Sequence, residues 1–254
     1  MEMKNKIIKH IKLGLAGLVL ASSLNGCGIA HLMALKKYNP LTKENILFSE
    51  LNPGLKEYMN KVYIIDKKDF FEKNLNGHAH TLNRKQKNNI CLTKEYLRKE
   101  IIFHEAAHVR FNGLNESKSD FSKKWGEIAD FKYGKENMKT YNLNSKVNPN
   151  KFKYVLWRDD KTTIPKNGLL TPYSAKSISE DVAVFIECIS FANEKESANK
   201  TIFPELFPLF FADTTDHRYR KKLDLLKEYN FLTKEEHKTS CDNLGIYYHL
   251  LKNK

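Results

Sequence analysis

An apolar helical run from Ile101 to Phe111 contains the pattern His-Glu-Ala-Ala-His and constrains the chain more than any other stretch. On a helix, His104 and His108 are four residues apart, so their imidazoles project from one face and can share a metal ion. Glu105 lies one step round the helix, where its carboxylate reaches a water molecule at the metal rather than the metal itself. Apolar residues on both sides indicate a buried helix, which argues against two surface histidines flanking a solvated glutamate. We therefore predict a catalytic zinc site with one Zn²⁺ per chain.

Polar residues mark both predicted ends of this motif helix. Thr93 has the side chain of an N-cap, and Glu95 then lies in the first turn, where the helix dipole favours a carboxylate. Asn112-Gly113 is typical of a C-cap. These signals predict about five turns, with the two histidines near the C-terminal end. In the polar segment that follows, we predict one helix, near Phe121 to Phe131.

A catalytic zinc site usually has three protein ligands, so the two histidines need a third from elsewhere in the chain. The best candidate is Glu180. Ser179 can N-cap a helix there, and Glu180 then stands in its first turn, held by the helix dipole and free to face the motif helix. Asp181 and Glu187 are rival ligands on the same helix. The apolar residues of this second helix have helical spacing: Val182, Phe185, Ile186 and Ile189.

The first 26 residues have the layout of a bacterial export signal. An apolar stretch from Leu13 to Leu24 is too short to span a bilayer comfortably. It ends in Leu24-Asn25-Gly26-Cys27, which is typical of a lipobox, although Asn25 replaces the usual Ala or Ser. We predict that residues 1–26 form a lipoprotein signal peptide and that Cys27 is lipidated; an uncleaved signal anchor is the alternative. The basic residues before the apolar stretch are Lys4, Lys6, Lys9 and Lys12.

The charge balance bears on the partners of the mature chain. Removal of the signal peptide takes away four Lys and one Glu, which lowers the formal net charge from +13 to +10. The lysines are scattered rather than gathered into a stripe, and an exported lipoprotein rarely meets nucleic acid. We therefore expect no nucleic-acid partner. A basic surface near anionic lipid fits a cell-envelope protein that is anchored to the membrane through Cys27, outside the cytoplasm.

Three cysteines remain besides Cys27. Cys91 and Cys188 have apolar neighbours and are predicted to lie in the core, and Cys241 follows in a polar segment. No pair has the CxxC spacing of a zinc knuckle or a redox motif. These residues permit at most one disulfide.

The 228 or so residues after the signal are enough for one domain with a substantial core. We predict a tether and a first helix over 27–60 and a catalytic domain over 61–254. In that domain, Val62 to Ile65 has the composition of a buried strand. Two further predicted strands, within 76–82 and 89–92, are joined by a loop and lead into the motif helix. The predicted fold class is α+β, with a small mixed sheet, the motif helix and a second helix that carries the third ligand.

His78 and His80 alternate along the second predicted strand, so both lie on one of its faces. They are tempting as extra metal ligands. The interpretation that we favour is that both are solvated residues of an edge strand.

The HExxH pattern resembles that of the zincin metallopeptidases, and two His from one helix with a Glu from a second is the gluzincin arrangement. Tyr173, seven residues before Glu180 with small residues between, is similar to the anthrax lethal factor catalytic domain and related bacterial metallopeptidases. The resemblance covers Val62 to Phe231 and includes a weaker match at Asp213 to His217. It implies a zincin-like domain in which Glu180 binds the metal and the Tyr173 hydroxyl stabilises an oxyanion.

Two features depart from this family. The separation between His108 and Glu180 is longer than in lethal factor. Position 184, where many gluzincins carry an Asp that supports a metal-binding His, is Val. The hydrogen-bond support of the metal ligands is therefore not evident from the sequence.

The resemblance implies zinc-dependent hydrolysis of a peptide bond in a protein or peptide substrate. Glu105 is then the general base that activates water at the zinc, and the edge strand before the motif helix pairs with the extended substrate. One alternative is a catalytically inactive surface-binding lipoprotein with a structural zinc site. Another is a hydrolase of a different amide, such as a cell-wall crosslink.

Overall fold

The computed structural model describes residues 38–40, 46–66, 77–80, 88–94, 97–129, 132–134, 167–192 and 208–248. The predicted signal peptide, 1–26, and the predicted lipidation site, Cys27, lie outside these ranges. Within them, no helix combines the length and the apolar character needed to cross a membrane.

Three strands form a small mixed sheet in the order β1-β3-β2. They are β1 (Met59–Ile64), β2 (Gly77–His80) and β3 (Asn88–Leu92). β1 runs parallel to the central strand β3, and β2 runs antiparallel to it. All three lie where the sequence predicts strands. In β3, Ile90, Cys91 and Leu92 are buried in succession, which is the behaviour of a central strand covered on both faces.

Seven α-helices belong to the described ranges, and the longest carries the HExxH motif. α3 packs against α5 more extensively than any other pair of elements in these ranges. Residues from both helices belong to one buried core, and the sheet lies against α3. The helices are α1 (Ile46–Ser49), α2 (Pro53–Lys56), α3 (Lys99–Glu116), α4 (Phe121–Ala129), α5 (Ile178–Ala192), α6 (His217–Glu228) and α7 (Lys234–Asn243).

The predicted ends of the motif helix are wrong at both termini. Thr93 is not its N-cap, because α3 begins after Arg98, which makes no side-chain capping bond. At the other end, the helix continues through Gly113 to Glu116. A Cβ atom at Gly113 would lie 2.3 Å from Cγ of Tyr58. Glycine is therefore required inside α3 by close packing of an aromatic ring rather than by a C-cap.

The predicted cap of the second helix is also displaced, by two residues. Ser177 Oγ accepts a hydrogen bond from the backbone N–H of Glu180 at 3.2 Å, which is the bond of an N-cap. Ser179, the predicted cap, lies inside the first turn of α5. Its hydroxyl is therefore free to bind a side chain from another helix.

A buried ion pair joins α5 to α6. Lys222 Nζ donates to Asp181 Oδ2 at 2.6 Å and to the carbonyl oxygen of Gly168 at 2.7 Å, and both charged side chains are fully buried. Trp125 Nε1 and Tyr133 Oη donate to the same carboxylate oxygen at 2.9 and 2.7 Å. Burial lowers the pKa of Lys222, and the Asp181 charge opposes that shift. Asp181 is thus committed to the core, and its candidacy as a metal ligand is wrong.

The contact at Gly113 yields a prediction with a matched control. Gly113→Ala should lower the free energy of unfolding by about 1–3 kcal/mol, because the added methyl group overpacks the site against Tyr58. Gly126, inside α4, has only an ordinary contact there, since its Cβ would lie 3.6 Å from Cδ1 of Ile178. Gly126→Ala should raise the free energy of unfolding by up to about 1 kcal/mol through helix propensity. Urea unfolding of both variants measures the two values; equal changes of the same sign would contradict the packing argument.

Candidate metal centre

Three predicted ligands meet between α3 and α5. His104 Nε2 and His108 Nε2 are 3.2 Å apart. Glu180 Oε2 lies 3.4 Å from the first nitrogen and 3.3 Å from the second. The two imidazoles come from adjacent turns of α3, and the carboxylate comes from the first turn of α5. The fold thus brings together the three residues that the sequence selects.

The dimensions and chemistry of this triangle fit Zn²⁺. A tetrahedral zinc ion with ligand bonds of about 2.0–2.1 Å separates its ligand atoms by about 3.3 Å. Glu180 Oε2 is buried and has no hydrogen-bond partner among the described residues. Buried carboxylate oxygens are normally paired, so this atom is suited to a cation placed between it and the imidazoles. Two imidazoles and one carboxylate also leave the fourth position that a catalytic zinc requires.

The outer nitrogen of each imidazole is held by a residue of α5. His104 Nδ1 lies 2.8 Å from Glu187 Oε2, and His108 Nδ1 lies 2.7 Å from Ser179 Oγ. Acceptors at Nδ1 favour the tautomer with the hydrogen there, which leaves the Nε2 lone pair for a metal. Val184 therefore does not leave His104 without a carboxylate partner, because Glu187, three residues farther along, supplies one. Glu187 belongs to the site as a partner of His104 and not as the rival ligand.

The charges in the triangle are strongly coupled. Burial alone would lower the pKa of His104, but its contacts with Glu180 and Glu187 and the charge of Glu105 raise it to about 10. Burial alone would raise the pKa of Glu180, but the two imidazoles bring it well below its usual range. A cation at the centre of the triangle competes with the proton on His104. Metal binding is therefore expected to release that proton.

Tyr173 reaches the site from a 3₁₀ turn, Pro172–Lys176, that immediately precedes α5. Its hydroxyl donates to Glu180 Oε1 at 2.9 Å. Lys176 Nζ donates to the Tyr173 oxygen at 3.0 Å and forms an ion pair with the same Glu180 oxygen. Oε1 is therefore occupied twice, and Oε2 is the oxygen that faces the imidazoles. The sequence signal for Lys176, which our sequence analysis missed, is its position four residues before Glu180.

Burial, and after it the charge of Glu180, raises the pKa of Tyr173 above its usual value. The phenol therefore keeps its proton at neutral pH and can act as a hydrogen-bond donor. A donor of this kind, next to a metal ligand, has the chemistry required to stabilise a developing negative charge.

Glu105 is buried on α3 and stands outside the ligand triangle, as predicted. Burial, and after it the charge of Glu105, raises the pKa of the Cys91 thiol in β3 to about 12. The same carboxylate contributes to the raised pKa of Tyr173, behind burial and Glu180. Glu105 thus lies close to the sheet, to Tyr173 and to the metal ligands without being one of them.

Other candidates from the sequence are not part of the ligand triangle. In β2, His78 and His80 pair with Cys91 and Asn89 of β3, but their side chains are outside the described residues, so their role stays a prediction. His217 is exposed at the start of α6. The described cysteines, Cys91, Cys188 and Cys241, are free thiols, so the possible disulfide among them is not formed.

In the segment from Asp213 to His217, Asp216 has a structural role. It is the N-cap of α6, accepting from the backbone N–H of Arg218 at 3.1 Å, and it also accepts from Gly168 N at 2.9 Å. This part of the family resemblance therefore corresponds to a capped helix start that is tied to the chain before α5.

Comparison of the chain with protein-family models, with curated proteins and with solved structures gives no match. The resemblance to the lethal factor catalytic domain thus rests on the residues quoted above.

The ligand triangle predicts a specific pattern of metal loss. His104→Ala, His108→Ala and Glu180→Ala should each remove the single Zn²⁺ from this site, because each leaves only two protein ligands. Glu187→Gln should retain zinc with an affinity lower by about 10- to 100-fold, which is the usual contribution of a residue that orients a ligand. Zinc content after dialysis against a graded chelator series measures all four variants.

Asp181→Asn supplies the control for charge on α5, because it removes a carboxylate next to Glu180 that does not face the metal. It should lower stability and reduce the zinc affinity of the folded protein much less than Glu180→Ala does, because it weakens the anchoring of α5 without removing a ligand. Loss of zinc in Glu187→Gln equal to that in Glu180→Ala would contradict the assignment of Glu187 as a supporting residue.

Proposed function

We propose that the chain is a zinc-dependent peptidase that hydrolyses peptide bonds of a protein or peptide substrate. The observation that carries this proposal is the convergence of His104, His108 and Glu180 on one point with Glu105 beside it. Three ligands with an open fourth position, next to a buried carboxylate that does not bind the metal, are the arrangement of a hydrolytic zinc site. A purely structural zinc site normally closes its coordination with four protein ligands.

The site residues would hold Zn²⁺ through two Nε2 atoms and Glu180 Oε2. When bound, the ion supplies Lewis-acid chemistry, which acidifies water and stabilises negative charge on the substrate. Glu105 accepts a proton from the attacking water as the water oxygen bonds to the carbonyl carbon. The carbonyl oxygen then becomes an oxyanion, towards which Tyr173 can turn its hydroxyl. As the C–N bond breaks, Glu105 passes the proton to the leaving amine.

The hydrogen bonds of Glu180 are compatible with a metal-binding role for Glu180 and an oxyanion-binding role for Tyr173. Lys176 and Tyr173 both hold Oε1, so either one alone keeps the carboxylate oriented with Oε2 towards the imidazoles. The Tyr173 hydroxyl can therefore leave Glu180 for the oxyanion during the reaction while Lys176 remains. Because two side chains donate to this one oxygen, one of the two donors is available for a catalytic role.

The sheet supports an extended peptide as the substrate. β2 pairs with β3 on one side and lies against α3. In the described ranges, no strand pairs with its other side. A substrate strand added there can bond to the main chain of β2 next to the helix that carries the two histidines.

We propose that this peptidase acts in the bacterial cell envelope, anchored to the membrane through a lipid on Cys27. The support is the lipobox, Leu24 to Cys27, after a basic and then apolar leader. Mass spectrometry of the N-terminal peptide should show a lipid-modified Cys27 and no trace of residues 1–26. An unmodified mature N-terminus would contradict the anchor.

Glu105→Gln tests the reaction. The amide is nearly the same size but cannot accept the proton of water, so hydrolysis should fall by about 10²- to 10⁴-fold, the usual contribution of a general base. Zinc content should stay at one ion at this site. The measurement is cleavage of a peptide library by the purified protein and by the variant. A wild-type protein that binds zinc but cleaves no peptide would favour the alternative of a surface-binding lipoprotein with a structural zinc.

Tyr173→Phe tests the oxyanion role. Zinc content should hardly change, because Lys176 still holds Glu180 Oε1. kcat should fall by about 10²- to 10³-fold with KM almost unchanged, because the hydroxyl bonds to the oxyanion only as charge develops. Steady-state kinetics on the best library peptide, with zinc analysis of the same sample, gives both values. A fall in kcat below about threefold would leave Tyr173 as a packing residue, whereas zinc loss would show that it supports the metal site structurally.

A further inference from the structure

A second group of potential metal ligands lies at the C-terminal helix pair. His237 Nε2 is 2.7 Å from Asp224 Oδ1 and 3.6 Å from Cys241 Sγ. All three donor atoms lie within 4.8 Å of one another. His237 is buried, Cys241 is half-buried and Asp224 is exposed. The group joins α6, which carries Asp224, to α7, which carries the other two residues.

The spacing on α7 has a simple helical origin. His237 and Cys241 are four residues apart, so their side chains lie on the same face of α7, and this face is turned towards α6. The imidazole ring uses one nitrogen, Nε2, for both neighbours. A carboxylate and a sulfur atom approach the same ring nitrogen from two sides, and Nε2 donates its hydrogen to the carboxylate; a metal ion bound there would take the place of this hydrogen.

The distances come close to those of a metal site. In a tetrahedral zinc site with Zn–S of about 2.3 Å and Zn–N of about 2.0–2.1 Å, the sulfur and nitrogen atoms are about 3.6 Å apart, as they are here. The 2.7 Å between Nε2 and Oδ1 is a hydrogen-bond length and must open to about 3.3 Å. The Asp224 side chain is 54% exposed, and its other contact with Oδ1 is from Arg220 Nε at 3.4 Å. A small rotation of this side chain is therefore enough.

We propose that Asp224, His237 and Cys241 form a second metal site, for Zn²⁺, that ties α6 to α7. One thiolate, one imidazole and one carboxylate suit a borderline-soft divalent cation, with water in the fourth position. On binding, the Nε2 hydrogen of His237 that bonds to Asp224 moves through solvent to Nδ1, so that Nε2 and Asp224 Oδ1 can each bind the metal, and the Cys241 thiol gives up its proton to solvent. With three protein ligands this site is open, unlike the four-ligand sites usual for structural zinc; it contributes to stability by joining two helices and does not rest on the proposed peptidase activity.

The absence of sulfur at the first centre allows the second to be observed separately. The first centre has two histidines and a glutamate, so Co²⁺ bound there gives no sulfur-to-metal charge-transfer absorption. The full-length chain carrying His104→Ala, stripped of metal, is titrated with Co²⁺ alone. One equivalent should bind and produce this near-ultraviolet absorption.

Cys241→Ser in the same His104→Ala background should abolish the absorption and the bound equivalent. Cys188→Ala, which removes a buried thiol elsewhere in the core, is the matched control and should leave both in place. Addition of Zn²⁺ should raise the midpoint of thermal unfolding of His104→Ala and leave that of the His104→Ala, Cys241→Ser double variant unchanged. Circular dichroism at 25 °C checks that each variant is folded.

Asp224→Asn provides a second variant on an exposed side chain, where misfolding is not expected. It should weaken Co²⁺ binding by at least about 10-fold, because even residues that only orient a ligand contribute that much. The proposal is overturned if His104→Ala binds no Co²⁺ with sulfur absorption. It is also overturned if the absorption survives Cys241→Ser, or if Asp224→Asn binds as tightly as its parent. Any of these results would mean that His237 and Asp224 form a hydrogen bond only and that Cys241 does not bind metal.

Discussion

The register of α5 against α3 is the constraint on which the candidate metal centre depends. The two histidines are fixed on adjacent turns of α3, but their third partner comes from a different helix. A slip of α5 by one turn, about 5.4 Å, would put Val184 in the place of Glu180 and leave the imidazoles without a carboxylate. The same slip would separate His104 from Glu187 and His108 from Ser179. Ligand and supporting residues are thus correct together or lost together.

The buried pair between Asp181 and Lys222 is the interaction best placed to fix this register. Taking two charges out of water costs several kcal/mol for each ion, so such a pair is weak evidence for stability in itself. An apolar pair would pack here and tolerate small shifts. The carboxylate of Asp181, in contrast, accepts hydrogen bonds from Trp125, Tyr133 and Lys222, which come from three different parts of the chain. Because Asp181 follows Glu180 directly, a fixed Asp181 also fixes the turn of α5 that faces His104 and His108.

The predicted site residues that the structure brings together are those whose placement depends on local helical geometry. His104 and His108 need only the four-residue spacing, and Glu180 needs only a place at the start of a helix. The β-branched and apolar runs likewise predict the three strands of the sheet. These features follow from the spacing of apolar residues along the segment, which alone is enough to predict a buried helix or strand.

The failures concern residues whose partners are far away in the chain. Asn112-Gly113 has the local signal of a helix end, but the ring of Tyr58 requires a glycine within the helix. Ser177 and Ser179 are equally good N-caps by residue type. Only the position of His108 shows that Ser179 bonds to its imidazole and that Ser177 is the cap. Glu187 is two helical turns from Glu180, and its partnership with His104 depends on how α5 lies on α3. Local signals carry no information about such contacts.

Ser179 and His108 are 71 residues apart in the chain and yet in direct contact. Among the described residues, the groups of the candidate metal centre belong to two helices and to the short turn before the second one. The entropy of closing a loop rises slowly with its length, by about 0.6 kcal/mol for each doubling. Changes in chain length between the two helices are therefore compatible with this contact, provided that Trp125 and Tyr133 still reach Asp181.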